Sequence, residues 1–235
     1  PFFHGIVLNV SGDNVVNIRD PVDNFSSYYL AYLLRLSMKK IQFWFSIGST
    51  YTYLSVTRIA GVAKKTGASF SWQPFSVRSI MREMDNVPFP PSKQVKVDYM
   101  WRDIERRAKG YGFSAKVPAP YPLGEFDFAN RVAVLAMREG WCEDYVRATY
   151  RRWFLDGQEA GGEPNLSETL SEIGQDLSRV LDVANSSDIE TAYLEQTARA
   201  QALGIFGSPS FVVDGELFWG DDRLEDAIRW AQKSD

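Results

Sequence analysis

Asp214-Gly215 divides the stretch Ile205-Phe-Gly-Ser-Pro-Ser-Phe-Val-Val-Asp-Gly-Glu-Leu-Phe-Trp-Gly220 into two short apolar strands. A type I′ turn needs positive φ at both central residues, and Asp-Gly is a pair that accepts it, so the two runs read as a hairpin. Pro209 stands just before the first strand. A proline cannot donate to a ladder, which confines it to a strand start or an edge, and its peptide bond is a candidate for the cis form. Beyond the hairpin, Asp221-Asp-Arg-Leu opens a final helix with acidic residues in its first turn, as the helix dipole favours. A chain ending this way must close on a β-β-α unit.

A second unit is written near the other end, at Lys40-Ile-Gln-Phe-Trp-Phe-Ser-Ile-Gly-Ser-Thr-Tyr-Thr-Tyr-Leu-Ser55. A β-rich run, Ile41 to Phe45, passes through the polar turn Ser46-Ile-Gly-Ser49 into a helix expected to open at Ser49 or Thr50. Thr66-Gly67 stops that helix. Ala68 to Phe75 alternates and reads as a second strand, ended at Pro74. From Val77 to Leu203 the period is helical, with Val97, Met100, Ile104 and Ala108 in one register. Ser92, Asn165 and Ser187 are candidate helix caps, the last two with capping-box spacing. The order β-α-β, helical block, β-β-α is the thioredoxin layout: an α/β fold with a large all-helical insertion. Residues 38–76 and 204–235 form the thioredoxin-like part and 77–203 the insertion. Residues 1–37 lack a sustained period and read as a leader or loosely attached N-terminal extension, with Met38 as the native start.

Composition narrows the function. The chain has 235 residues, 45% apolar and 24% charged, with a net charge of −4. An acidic chain without a basic block argues against nucleic acid, and no apolar run is long enough to span a bilayer. The one cysteine, Cys142, allows no internal disulfide and no CxxC pair, which suits a reducing, cytoplasmic setting. The one histidine, His4, sits at the extreme end, so a histidine triad or metal site is discounted.

Three blocks of residues carry a resemblance: Phe43-Trp-Phe-Ser-Ile-Gly-Ser-Thr-Tyr-Thr-Tyr-Leu54, Tyr99-Met-Trp-Arg-Asp-Ile-Glu-Arg106, and Gly204 through Leu224. They resemble the 2-hydroxychromene-2-carboxylate isomerase family, related to kappa-class glutathione transferases within the DsbA-like branch of thioredoxin folds. The resemblance spans roughly residues 40–233. It implies a glutathione-dependent isomerase that converts a hydroxychromene carboxylate to the trans-benzylidenepyruvate in aromatic degradation, with a small aromatic substrate and a homodimeric assembly. Ser49 falls on the family's catalytic serine, Pro209 on its cis-proline, and Ser208 on the residue whose backbone holds the glutathione cysteinyl unit. Asp221 and Asp222 match positions at the γ-glutamyl end, and Asn86 and Lys96 match polar positions that contact glutathione or substrate. The family's turn usually reads Asp-Phe-x-Ser-Pro, where this chain has Ser46-Ile-Gly-Ser49-Thr50.

The implied chemistry agrees with what the chain lacks. A thiol acts as nucleophile only as thiolate, and a helix N-terminus plus a hydroxyl donor lowers its pKa. Ser49 would donate a hydrogen bond to the glutathione sulfur, and no enzyme cysteine or histidine is needed. Each residue also has a plainer role open to it: Ser49 as an N-cap, Asp221 and Asp222 as an ordinary helix start, Asn86 as a loop residue, Lys96 as a solvated charge. Two other functional classes also remain open: a kappa-like transferase conjugating electrophiles, and a non-catalytic thioredoxin-like module.

Overall fold

The computed structural model describes residues 39–86 and 91–232. The expected leader at 1–37, His4, the start at Met38 and the centre of the loop after Asn86 lie outside the described residues.

Strand β1, Ile41–Phe45, lies inside a mixed sheet ordered β2-β1-β3-β4 among the described residues. Strand β2, Phe70–Pro74, runs parallel to β1 with Phe43 opposite Trp72. Strands β3, Ser210–Val213, and β4, Glu216–Trp219, run antiparallel, with Phe43 opposite Phe211 and Phe211 opposite Phe218. Successive strand residues point to opposite faces, yet Phe43, Trp44 and Phe45 are all fully buried. Both faces of β1 are therefore covered, which is why its sequence is a continuous apolar run instead of an alternating one. The Phe43 ring meets the edge of Trp72 at 4.9 Å and stacks on Phe211 at 5.3 Å. Pro74 ends β2, an outer strand, where a missing N–H breaks no inner ladder. The β3–β4 turn has φ of 50° at Asp214 and 82° at Gly215, the positive pair that the dipeptide announced.

Helix α1, Thr52–Thr66, follows β1 and stops at Gly67 in the left-handed conformation. Between β2 and β3 the chain is helical: α2, Val77–Glu83; α3, Gln94–Gly110; α4, Phe126–Glu139; α5, Cys142–Arg151, which widens into a π segment at Arg152–Asp156; α6, Asn165–Glu172; α7, Leu177–Ala184; and α8, Ser187–Ala202. A 3-10 turn, Asp221–Arg223, leads into the last helix, α9, Leu224–Ala231. The fold is thioredoxin-like with an all-helical insertion. Helices α4 and α8 pack on β2, and α9 packs on β3 and β1.

The caps differ from their sequence reading. No side chain caps α3, whose start is preceded by a 3-10 turn at Pro91–Lys93. Asn165 is already helical, and its amide donates to the carbonyls of Thr149 and Gln158, tying α6 to α5. Ser186, one residue earlier than expected, caps α8 by accepting from the Ile189 amide.

Candidate functional site

The site begins with the turn between β1 and α1. The Ser49 amide donates to the Ser46 carbonyl at 3.0 Å and closes a four-residue turn, with φ of +109° at Gly48. Helical residues begin at Thr52, and no side chain caps the helix. The opening expected at Ser49 or Thr50 thus lies two to three residues further on, with Tyr51 at the N-cap position. Ser49 is not an N-cap. Its hydroxyl donates instead to the Ser208 carbonyl at 2.6 Å, a contact across 159 residues.

Ser208 joins the two ends of the chain. The Ser208–Pro209 peptide bond is cis. The Ser208 hydroxyl accepts from the Ser46 amide at 2.9 Å and lies 2.9 Å from the Thr52 hydroxyl. Pro209 is buried, and its carbonyl accepts from the Gly220 amide at 2.9 Å, so the hairpin's closing end is registered on the same residue.

Two side chains from the insertion fix the turn, and neither carried any signal in sequence. Asn130 of α4 is fully buried; its side-chain oxygen accepts from the Ile47 amide at 2.8 Å, and its NH2 group donates to the Ile47 carbonyl at 2.9 Å and the Phe126 carbonyl at 2.8 Å. Tyr150 of α5 donates from one hydroxyl to the carbonyls of Ser46 at 3.1 Å and Ser49 at 3.0 Å. Burial raises the Tyr150 phenol far above its ordinary value, so it remains a donor at any working pH. Ser46, where the related family carries an acid, is fully buried, so an ionised carboxylate there would be costly. Thr50, where the family carries proline, donates its hydroxyl to the Met100 sulfur at 3.0 Å and is held by α3.

Gly48 has a steric reason to be glycine. A Cβ there would sit 2.5 Å from Phe126 Cδ2, and φ is already in the region that disfavours side chains. Gly48→Ala is expected to cost about 2 kcal/mol, as overpacking of a fixed ring does. Urea unfolding would measure it; a midpoint unchanged from wild type would show that the ring gives way freely.

The turn forms one wall of a cleft of about 580 Å³. Ser49 and Ser208 line it beside a wall of Phe126, Phe206 and Trp219, and Arg78 and Arg82 line it from α2. Asn86 lines it as well. Lys96, exposed on α3, is not among the lining residues, and the structure does not bring it to Ser49. Asp221 is 1% exposed and pairs with Arg107 at 2.7 Å, while Arg58 donates to its main-chain carbonyl. Burial outweighs the pull of Arg107 and raises the Asp221 carboxyl to about 6. Its carboxylate is engaged in an internal pair, and Asp221 is not among the cleft-lining residues. Asp222 is exposed and paired with Arg223 at 2.8 Å, outside the cleft lining.

These residues suit glutathione best at its thiol. A serine hydroxyl and a strand-leading carbonyl meet at the cleft wall, with the Asn86 amide along the same wall. Of the two acids expected at the γ-glutamyl end, Asp222 alone keeps an exposed carboxylate. Cys142 is buried in α5, and burial holds its thiol well above the usual range. Among the described residues no group of acids, histidines or cysteines is placed to hold a metal ion, and no helix is long and apolar enough to cross a membrane.

Comparison with known proteins places the fold. The model of the DSBA-like thioredoxin domain family matches residues 40–228. A curated protein of Sphingobium xenophagum, named 2-hydroxychromene-2-carboxylate isomerase, is 26% identical over 189 residues, 80% of this chain and 95% of that protein. A Pseudomonas putida protein of the same name is 25% identical over 185 residues, 78% of this chain and 90% of that protein. A solved structure of 2-hydroxychromene-2-carboxylate isomerase superposes with a TM-score of 0.71 at 24% identity, covering 79% of this chain and 91% of that one.

Proposed function

Since the chain belongs to the DSBA-like thioredoxin domain family, we propose that it is a glutathione-dependent cis-trans isomerase of 2-hydroxychromene-2-carboxylate-type intermediates. The observation that carries this reading is the meeting of the Ser49 hydroxyl and the Ser208 carbonyl at the cleft wall, where dithiol relatives need a cysteine. The names of the curated relatives support the reaction type. Bound glutathione would supply a thiolate that adds reversibly to the ring-opened conjugated substrate, so that a double bond becomes rotatable.

The chain's own part is to hold and tune that sulfur. The Ser208 carbonyl is the acceptor for a cysteinyl amide, and a ligand N–H there would release the Ser49 hydroxyl to turn to the sulfur. Both the hydroxyl and the positive end of α1 favour thiolate over thiol. Asn130 and Tyr150 keep the turn from following the ligand, so the donor waits in place instead of being reorganised during reaction. The aromatic wall of Phe126, Phe206 and Trp219 suits a planar substrate and sheds water from it. A reducing, cytoplasmic setting and a homodimer belong to the same proposal.

Isothermal titration of the full chain with glutathione tests it. Saturable binding is expected, and a flat titration would remove the glutathione reading in both its isomerase and its transferase forms. If binding occurs, conversion of hydroxychromene carboxylate without net glutathione consumption separates isomerase from transferase.

A further inference from the structure

The cleft contains two cations that the reaction at Ser49 leaves unused. Arg78 and Arg82 are one helical turn apart on α2 and both line the cleft. Among the described residues no aspartate or glutamate lines it, although the chain as a whole carries a net charge of −4. Like charges at i and i+4 repel, so placing both on one wall has a cost that a bound anion would offset.

Arg78 is the better placed of the two. It is half-buried; one Nη donates to the Leu123 carbonyl at 2.9 Å, and the guanidinium carbon lies 3.9 Å above the Phe126 ring. These contacts fix the plane of the group without neutralising it. Among the described residues no carboxylate lies within ion-pair distance of Arg78. Asp127, the nearest acid by its influence, accepts from the Tyr193 hydroxyl at 3.1 Å. The half-buried Arg58 and Arg107 and the buried Arg152 each have a carboxylate partner. A guanidinium offers five N–H groups in a planar fork that matches a carboxylate. Arg78 uses one on Leu123, and its ring-stacked plane leaves the rest for a ligand.

We propose that Arg78, assisted by Arg82, anchors the carboxylate of a planar aromatic substrate in the cleft and thereby sets the selectivity for acids over neutral analogues. The assignment rests on the reading of the cleft as a substrate site. It adds a residue and a discrimination that the Ser49 chemistry does not require. The Phe126 ring would serve twice, packing on the substrate side of the cleft and holding the cation that orients the substrate.

The same cations face glutathione's own carboxylates, so the test separates the two sources. Trans-cinnamate and its neutral isostere cinnamamide are titrated into the full chain, followed by glutathione alone. Wild type is expected to bind the acid about tenfold more tightly than the amide, the scale of one charge-assisted pair. In Arg78→Gln that preference should vanish while glutathione affinity stays the same, and Arg78→Lys, which keeps the charge but not the planar fork, should restore part of it. Since lysine keeps the charge and the reach to Leu123, its behaviour separates anion binding from a merely structural role. Equal binding of acid and amide by wild type would overturn the proposal, as would a preference that survives both Arg78→Gln and Arg82→Gln. Loss of glutathione binding in parallel would also overturn it, by assigning the cations to glutathione. If wild type binds no glutathione, the isomerase reading fails, but the acid-to-amide ratio still decides the role of Arg78.

Discussion

Ser49→Ala is expected to lower isomerase turnover about a hundredfold, the usual cost of removing one preorganised donor from a developing or resident anion. The fold should survive. The hydroxyl makes one hydrogen bond, to the Ser208 carbonyl, and that carbonyl faces a cleft where water replaces the lost donor; the stability cost is about 1 kcal/mol. The more telling measurement is the titration of bound glutathione followed by thiolate absorbance. Loss of the hydroxyl donor should move its pKa upward by about one unit. A titration superimposable on that of wild type would mean that Ser49 does not touch the sulfur, whatever happens to turnover.

Asn130→Ala should be strongly destabilising although it removes no apolar group. It removes three hydrogen bonds from a fully buried position and leaves the Ile47 amide, the Ile47 carbonyl and the Phe126 carbonyl without that partner. The Phe126 carbonyl keeps its helical partner, so two Ile47 groups are left unmet; at about 2 kcal/mol each, the loss is about 4 kcal/mol. In a domain of this size that is a fall in Tm of roughly 8–16 °C. Glutathione affinity measured well below the new Tm should also drop, since the turn that presents Ser49 is no longer tied to α4. A Tm within 2–3 °C of wild type, on the order of a 1 kcal/mol change, would show that water enters and satisfies the turn. Asn130→Asp keeps the shape but turns an acceptor oxygen toward the Ile47 and Phe126 carbonyls in a fully buried position, and at neutral pH it should destabilise at least as much as alanine.

The features legible in sequence were those with a local cause. Asp214-Gly215 states its turn in two residues, Pro209 states a strand start, and the 3.6-residue period states the helices of the insertion. The fold follows from the order of these elements. Asn130 and Tyr150 could not be found in this way. Asn130 reaches Ile47 across 83 residues, and Tyr150 reaches Ser46 across 104, and nothing in the flanking sequence marks either. Asn165 was misleading for a related reason: its spacing to Glu168 imitates a capping box, while its side chain is recruited by α5. Asp221 shows the same limit at the site itself. Adjacent acids at a helix start look equivalent on paper, but one is enclosed with Arg107 and the other stays in solvent. Lys96 and Arg78 are likewise not told apart by sequence: Lys96 is exposed on α3 outside the cleft lining, while Arg78 on α2 lines it.

The enclosure of Cys142 has a consequence for how the protein handles a thiol ligand. It is the chain's one cysteine, it is buried within α5, and its proton is held by its surroundings. A sulfur arriving beside Ser49 therefore meets no protein sulfur with which to form a mixed disulfide. Under the proposed function a bound thiolate would react with a third molecule and leave unchanged, and an oxidising episode has, among the described residues, no accessible protein thiol on which to leave its mark.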